Sequence, residues 1–232
     1  RRRHTRYWRD WSSDVCSSDL NAFQEELDSI HDTLVKMGRT VEESMSAATR
    51  ALLEPNLELA EKVIKDDDNI DDMQHELDDR TMMIIARQSP VAGDLRTLVT
   101  SLRMSADLER MGDMAHHIAK LARMRYPNIA VPEELRDIIR NMDRVAVGII
   151  KKTTSAIDTR NTTLALQLEQ DDDEMDKLHR QLFKTLMEST WAHGTEIAID
   201  MTLLGRYYER CADHAVSVGR RVYYMVNGEY NS

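Results

Sequence analysis

Cysteine, proline, glycine and aromatic residues are all scarce in this chain of 232 residues. It has 2 Cys, 4 Pro and 8 Gly, and Phe, Trp and Tyr together make up only 5%. One cysteine, Cys16, falls in an N-terminal segment set apart below. Cys211 then has no partner for an intramolecular disulfide, which fits a reducing compartment. Also missing is any apolar run approaching the roughly 18–20 residues that cross a bilayer. No Gly-rich phosphate loop, nucleophile elbow, C-x-x-C or H-E-x-x-H is present, so no catalytic role is expected. Basic charge is in short supply too, with 31 Lys and Arg against 41 Asp and Glu, a formal net charge of −10. Such a surface repels nucleic-acid phosphates and speaks against DNA or RNA as a partner. Convincing period-2 alternation is absent. Leu, Met, Ala, Glu, Asp and Arg dominate instead, and straight side chains lose little rotamer freedom in a helix. The expected fold class is all-α, and the expected location is the cytoplasm.

Residues 1–20, "RRRHTRYWRDWSSDVCSSDL", stand apart from the rest. They hold two of the 3 Trp and show no helical periodicity. W-S-S-D-V-C-S-S-D-L back-translates into a short-read sequencing adapter in frame, so the segment is read as non-native and excluded from fold reasoning. Without it the chain has 26 basic and 38 acidic residues, a formal charge of −12.

From residue 22 on, apolar residues recur at spacings of three and four, the helical period. Helices are expected over about 22–54, 57–88 and 92–125, with breaks at Pro55-Asn56 and at Ser89-Pro90, because the residue before proline avoids the α region. The stretch 126–132, which contains Pro127 and Pro132, reads as a linker. Three further helices are expected over about 133–158, 161–190 and 195–227. Three helices, a linker and three more give a first unit at 21–125 and a second at 133–228.

The two units match in detail. D-D-D-x-x-D occurs at 66–71 and again at 171–176, and acid-Arg-x-x-Asp occurs as "ERMGD" at 109–113 and "ERCAD" at 209–213. The offsets are 105 and 100 residues, so the loop between the second and third helices differs by about five. Two motifs in the same order identify a duplicated three-helix repeat.

Residues four apart on a helix share a face. Asp67 with Asp71, Glu109 with Asp113, Asp172 with Asp176 and Glu209 with Asp213 are therefore four like-charge pairs. Each costs roughly 0.2–0.5 kcal/mol in an isolated helix. Helical phase sets Glu109 in line with Ala106, Leu102, Leu98 and Leu95, so the acids extend an apolar stripe. Carboxylates in that register are costly unless neutralised. Facing oxygen ligands suit magnesium, manganese, calcium or iron over a thiol-selective metal, and a divalent or multinuclear metal is expected, with zinc also among the candidates. The competing reading places the acids at the stripe's edge, solvated and paired with Arg110 or Arg210. By the same period, Asp66, Asp68 and Asp72 form a solvated face. His116, one turn after Asp113, could add a nitrogen ligand, but without a counterpart at Val216 it is expected at the surface, and Cys211 in the packing.

"IARQSPVAGDLR" (85–96), "ADLERMGDMAHHIAK" (106–120) and "YYERCADHA" (207–215), set on the duplicated unit, resemble the PhoU family of phosphate-transport regulators. The similarity runs from Phe23 to about Gly228. The resemblance implies two tandem three-helix bundles and, at the eight acids named above, metal clusters held by E/D-x-x-x-D motifs. It implies a non-enzymatic negative regulator of phosphate uptake and phosphate-starvation signalling. Such a protein couples the phosphate ABC transporter (Pst) to a PhoR-type sensor histidine kinase and is peripheral at the cytoplasmic face of the membrane. A homodimer is left open. Cys211 and Ala212 depart from the apolar residue and Gly usual in the motif, and Met114 from a frequent His. Two other functions compete: a carboxylate-bridged di-iron enzyme and a metal-free helical scaffold. Di-iron bundles typically draw Glu-x-x-His from two helices, and Asp113 with His116 offers one such spacing.

Overall fold

The computed structural model describes residues 10–230, with side chains from 21 onward. Seven α-helices appear among the described residues: α1 (Asp10–Leu53), α2 (Leu57–Asp66), α3 (Asp68–Gln88), α4 (Ala92–Arg125), α5 (Arg136–Thr159), α6 (Thr162–Leu186) and α7 (Gly194–Asn227), with a short 3-10 turn at Glu133–Leu135 before α5. Leu27, Ile30, Leu34, Met37, Val41, Met45, Ala48 and Leu52, spaced by three and four, form the buried stripe of α1. Local chemistry sets the ends. Asn56 caps α2 by accepting from the Leu59 N–H at 3.0 Å, and Asn161 caps α6 by accepting from Thr163 and Leu164. Gly228, at φ 81°, closes α7 in the left-handed conformation that glycine adopts without penalty.

α1, α2/α3 and α4 make one three-helix bundle, and α5, α6 and α7 make the second. The bundles meet along two antiparallel helix pairs. In the first, His31 and Asp158 approach at one end of α1 and α5, and Arg136 donates to the Leu53 carbonyl at the other, at 3.0 Å. In the second, Asp107 of α4 accepts from His214 and Arg221 of α7, while Arg125 of α4 donates to Asp200 near the start of α7 at 2.6 Å. α2, α3 and α6 pack on the outer sides, each against its own bundle. One hydrophobic core runs through both bundles.

The structure departs from the sequence reading in three places. The single helix expected over 57–88 is interrupted at Asp67, where an i→i+3 bond from the Ile70 N–H to the Asp67 carbonyl (2.8 Å) tightens the turn. Consecutive aspartates are weak helix formers, and this one turns its carboxylate toward α4. α1 starts at Asp10, so the lack of periodicity did not stop the helix: with neither Gly nor Pro between 10 and 20, extending an existing helix adds one bond per residue. A helix over 10–20 does not bear on the non-native reading of 1–20, of which residues 1–9 lie outside the described residues. α6 ends at Leu186, short of the expected 190. Within the linker, Ala130 and Val131 are buried in the core. Among the described residues, no helix is long and apolar enough to cross a membrane.

Candidate metal sites

In the first bundle, Asp67 at the α2–α3 junction and Asp71 on α3 stand opposite Glu109 and Asp113 on α4. Gly112, inside the ERMGD motif, permits the approach: a Cβ there would lie 2.8 Å from Ile70 Cδ1 and 3.4 Å from Asp67 Oδ1. The four carboxylates feel one another across the helix pair. Burial pushes the Asp71 pKa up first, and the Asp67 and Asp113 charges add to it. Glu109 is likewise raised by burial and by Asp113, then by Asp71 and Asp67, with Arg110 opposing. Arg110 bridges the motif, at 3.4 Å from Glu109 and 2.9 Å from Asp113.

The second bundle repeats the arrangement with Asp172 and Asp176 on α6 and Glu209 and Asp213 on α7. Asp172 is pushed up to about 6 by burial, reinforced by Asp213, Asp176 and Glu209. Arg206 pairs with Glu209, and Arg180 lies 3.4 Å from Asp176. Asp213 is exposed where Asp113 is half-buried. Ala212, replacing the usual glycine, is fully buried, so the second helix pair closes over a methyl group.

Two imidazoles stand near these acids, one weighed from the sequence and one missed. His116 is not a surface histidine: its Nδ1 contacts the Asp67 carboxylate, and its Nε2 is buried without a partner. His179 of α6 packs edge-on against Phe183 and over Gly205, where a Cβ would stand 3.0 Å from its ring. Its Nε2 is also buried without a partner, and burial draws its pKa down despite Glu209 nearby. Both follow an aspartate by three residues, Asp113 and Asp176, a spacing that sequence reasoning picked up only at the first.

Among the described residues, no three His, Cys, Asp or Glu side chains converge as a ready-made chelate. Arg110 bridges Glu109 and Asp113, and Arg206 pairs with Glu209. The donor set nevertheless fits a divalent cation. Asp172 Oδ1, His116 Nε2 and His179 Nε2 are buried atoms without partners, and buried polar atoms are rarely left so. Rotation of the acids onto an ion would displace Arg110 and Arg206 into solvent, which both already touch. A ferritin-like di-iron centre does not fit, since the two Asp-x-x-His sets lie in different bundles and do not converge from four helices.

The PhoU domain description matches residues 34–122 and 139–222, one copy per bundle. A relative from Mycobacterium tuberculosis, named phosphate-specific transport system accessory protein PhoU homolog 2, is 42% identical over 209 residues, covering 90% of this chain and 98% of the relative. The crystal structure of PhoU from Pseudomonas aeruginosa superposes with a TM-score of 0.79 at 27% identity, over 89% of this chain and 100% of that one. The phosphate transport system regulatory protein PhoU from Streptococcus pneumoniae has the same fold, with a TM-score of 0.81 at 24% identity over 90% and 99% of the two chains.

Proposed function

The chain belongs to the PhoU family, and from that premise we propose that it regulates a phosphate-specific transport system by binding, without turning over a substrate. The observation that carries this reading is the pair of PhoU domains, one in each bundle. In the finer form of the proposal the protein acts at the cytoplasmic membrane face. It restrains the phosphate ABC transporter and passes the phosphate-replete state to a PhoR-type sensor kinase. The carboxylates hold divalent metal: Asp67, Asp71, Glu109 and Asp113 in one half, and Asp172, Asp176, Glu209 and Asp213 in the other. Bound metal would neutralise acids that otherwise repel one another, so its work is to hold α3 to α4 and α6 to α7. What supports this reading is that Asp172 Oδ1 and His116 Nε2, both beside the acids, are buried without partners.

A strain lacking the gene, and lacking any paralogue, tests the regulatory role. Phosphate-starvation genes should be expressed in it even in phosphate-rich medium, and a plasmid copy should restore repression. Normal repression in the deletion strain would refute the assignment.

A further inference from the structure

α4 and α7 lie antiparallel, from Arg96 over Tyr224 at one end to Arg125 on Asp200 at the other, and their outer seam is a groove about 40 Å long at 1.5 Å per residue. One stretch of it is apolar. His117 stacks on Tyr207 with ring centroids 5.1 Å apart, and with Leu121, Met124 and Leu203 they line a hollow of about 160 Å³. Met124 and Leu203 are exposed there, and burial draws the His117 pKa down, so its ring is uncharged at neutral pH. The helical period carries the same faces along the groove into cations: Arg103 stands two heptads before His117, and Arg210 one heptad after Leu203. Both are exposed, as is Lys120 at the rim of the hollow, and none of the three forms an ion pair among the described residues. The buried carboxylates of the seam are already taken, Asp107 by His214 and Arg221, and Asp200 by Arg125. A chain of net charge −10 thus sets unpaired cations beside an apolar hollow in one groove.

We propose that the α4–α7 groove docks an acidic amphipathic helix of a partner protein, with an apolar side chain in the hollow beside Tyr207 and carboxylates along Arg103 and Arg210. The inference deepens the regulatory reading above, since it rests on action by binding and supplies the surface. A helix seats itself on two others by setting its side chains into their groove, and an amphipathic one anchors through apolar residues three and four apart. The exposed guanidinium groups supply the charge complement that selects an acidic partner and speeds its approach. A bilayer surface is planar at this scale and leaves the hollow unfilled, which favours a helix over anionic lipid.

The test uses the full chain and two labelled helical peptides of about 20 residues, read by fluorescence anisotropy. Both carry leucines three and four residues apart in their first turns; one continues with glutamates at that spacing and the other with lysines. The glutamate peptide should bind at least tenfold more tightly than the lysine peptide. Leu203→Asp should weaken it at least tenfold. Arg103→Glu with Arg210→Glu should invert the preference, a gain that a misfolded chain cannot show. Equal binding of the two peptides, or a preference that survives the double reversal, overturns the inference. If neither peptide binds, the inference falls, and phosphatidylglycerol vesicles or a second copy of the chain occupy the groove where either association is lost in the double reversal. The deletion strain separates this inference from the regulatory reading. A wild-type plasmid should restore repression and the double-reversal variant should not, although its thermal unfolding is unchanged. Restoration by both overturns the inference alone. Restoration by neither, with the peptide preference intact, refutes the regulatory reading and leaves the groove.

Discussion

Asp143 on α5 shows what one misplaced charge does to a core. It lies beside Thr49 of α1 and Tyr208 of α7, whose hydroxyls share a hydrogen bond of 2.6 Å, and its own Oδ1 has no partner. Burial raises its pKa from 3.8 to about 6, with the Thr49 hydroxyl pulling partly back. The folded protein therefore holds this proton more tightly than the unfolded chain does. Stability falls as the pH climbs from about 4 to 6, and above 6 the ionised carboxylate weakens the fold in full. Asp143→Asn keeps the shape and removes the charge. In urea unfolding the variant should be more stable at pH 7.5 by about 1–2 kcal/mol, after allowing for residual solvent screening, and the gain should vanish below pH 4. An equal gain at both pH values would show that the effect is not ionisation. Cys211, by contrast, is sealed in the core with its thiol pushed up to about 12, which makes it inert packing.

At the scale of helices, two glycines separate propensity from packing. Gly148 lies inside α5 with nothing within 4 Å of the place a Cβ would take. Gly219 lies inside α7, where a Cβ would meet the Ala165 carbonyl oxygen and Leu168 Cδ1, each at 2.8 Å. Leu168 can turn aside, but the carbonyl is backbone and moves only if α6 moves. Gly148→Ala should therefore gain the ordinary helix-propensity difference of about 0.8–1.0 kcal/mol. Gly219→Ala collects the same gain but meets an overpacking cost of about 1–3 kcal/mol, so its net effect should be a loss. Thermal denaturation should move in opposite directions for the two variants, by about 2–4 °C per kcal/mol in a protein of this size. A gain at both would mean that α6 and α7 are not in close contact at Gly219. The interruption at Asp67 belongs to this scale too: a helix weakened by its own aspartates bends where one of them engages α4.

Across the whole molecule, the two bundles are repeats in sequence but a single body in packing. α1 against α5 and α4 against α7 form their junction, and the core passes through it without a polar divide. Gly38 permits the first contact, since a Cβ there would stand 3.1 Å from Thr154 Cβ. The second is flanked by buried Asp107 with His214 and Arg221, and by buried Asp200 with Arg125. Separating the bundles would strip partners from two buried carboxylates, a large penalty. Unfolding should thus be one cooperative event, with calorimetric and van't Hoff enthalpies equal. Two resolved heat-absorption peaks would show that each repeat folds alone. Saturating zinc should raise that single transition through mass action, by about 2.7 kcal/mol at a hundredfold excess over its dissociation constant.

The all-α class, the duplication and the four acid pairs could all be read from residue order, because each depends on spacing within one helix. Helical geometry puts i and i+4 on one face whatever surrounds it, so Glu109 falls beside Asp113 in the sequence as surely as in the fold. The helix ends at Asn56, Ser89-Pro90 and Asn161 were legible for the same reason, as local backbone chemistry. What the tertiary structure alone decided is how helices rotate and approach one another. That rotation turns His116 into Asp67, sets His179 over Gly205, and joins α1 to α5 and α4 to α7. These contacts link residues from 26 positions apart (His179 and Gly205) to 127 (His31 and Asp158), and no local period encodes such distances. They follow from packing one apolar face against another, which is a property of the assembled core and not of any one helix.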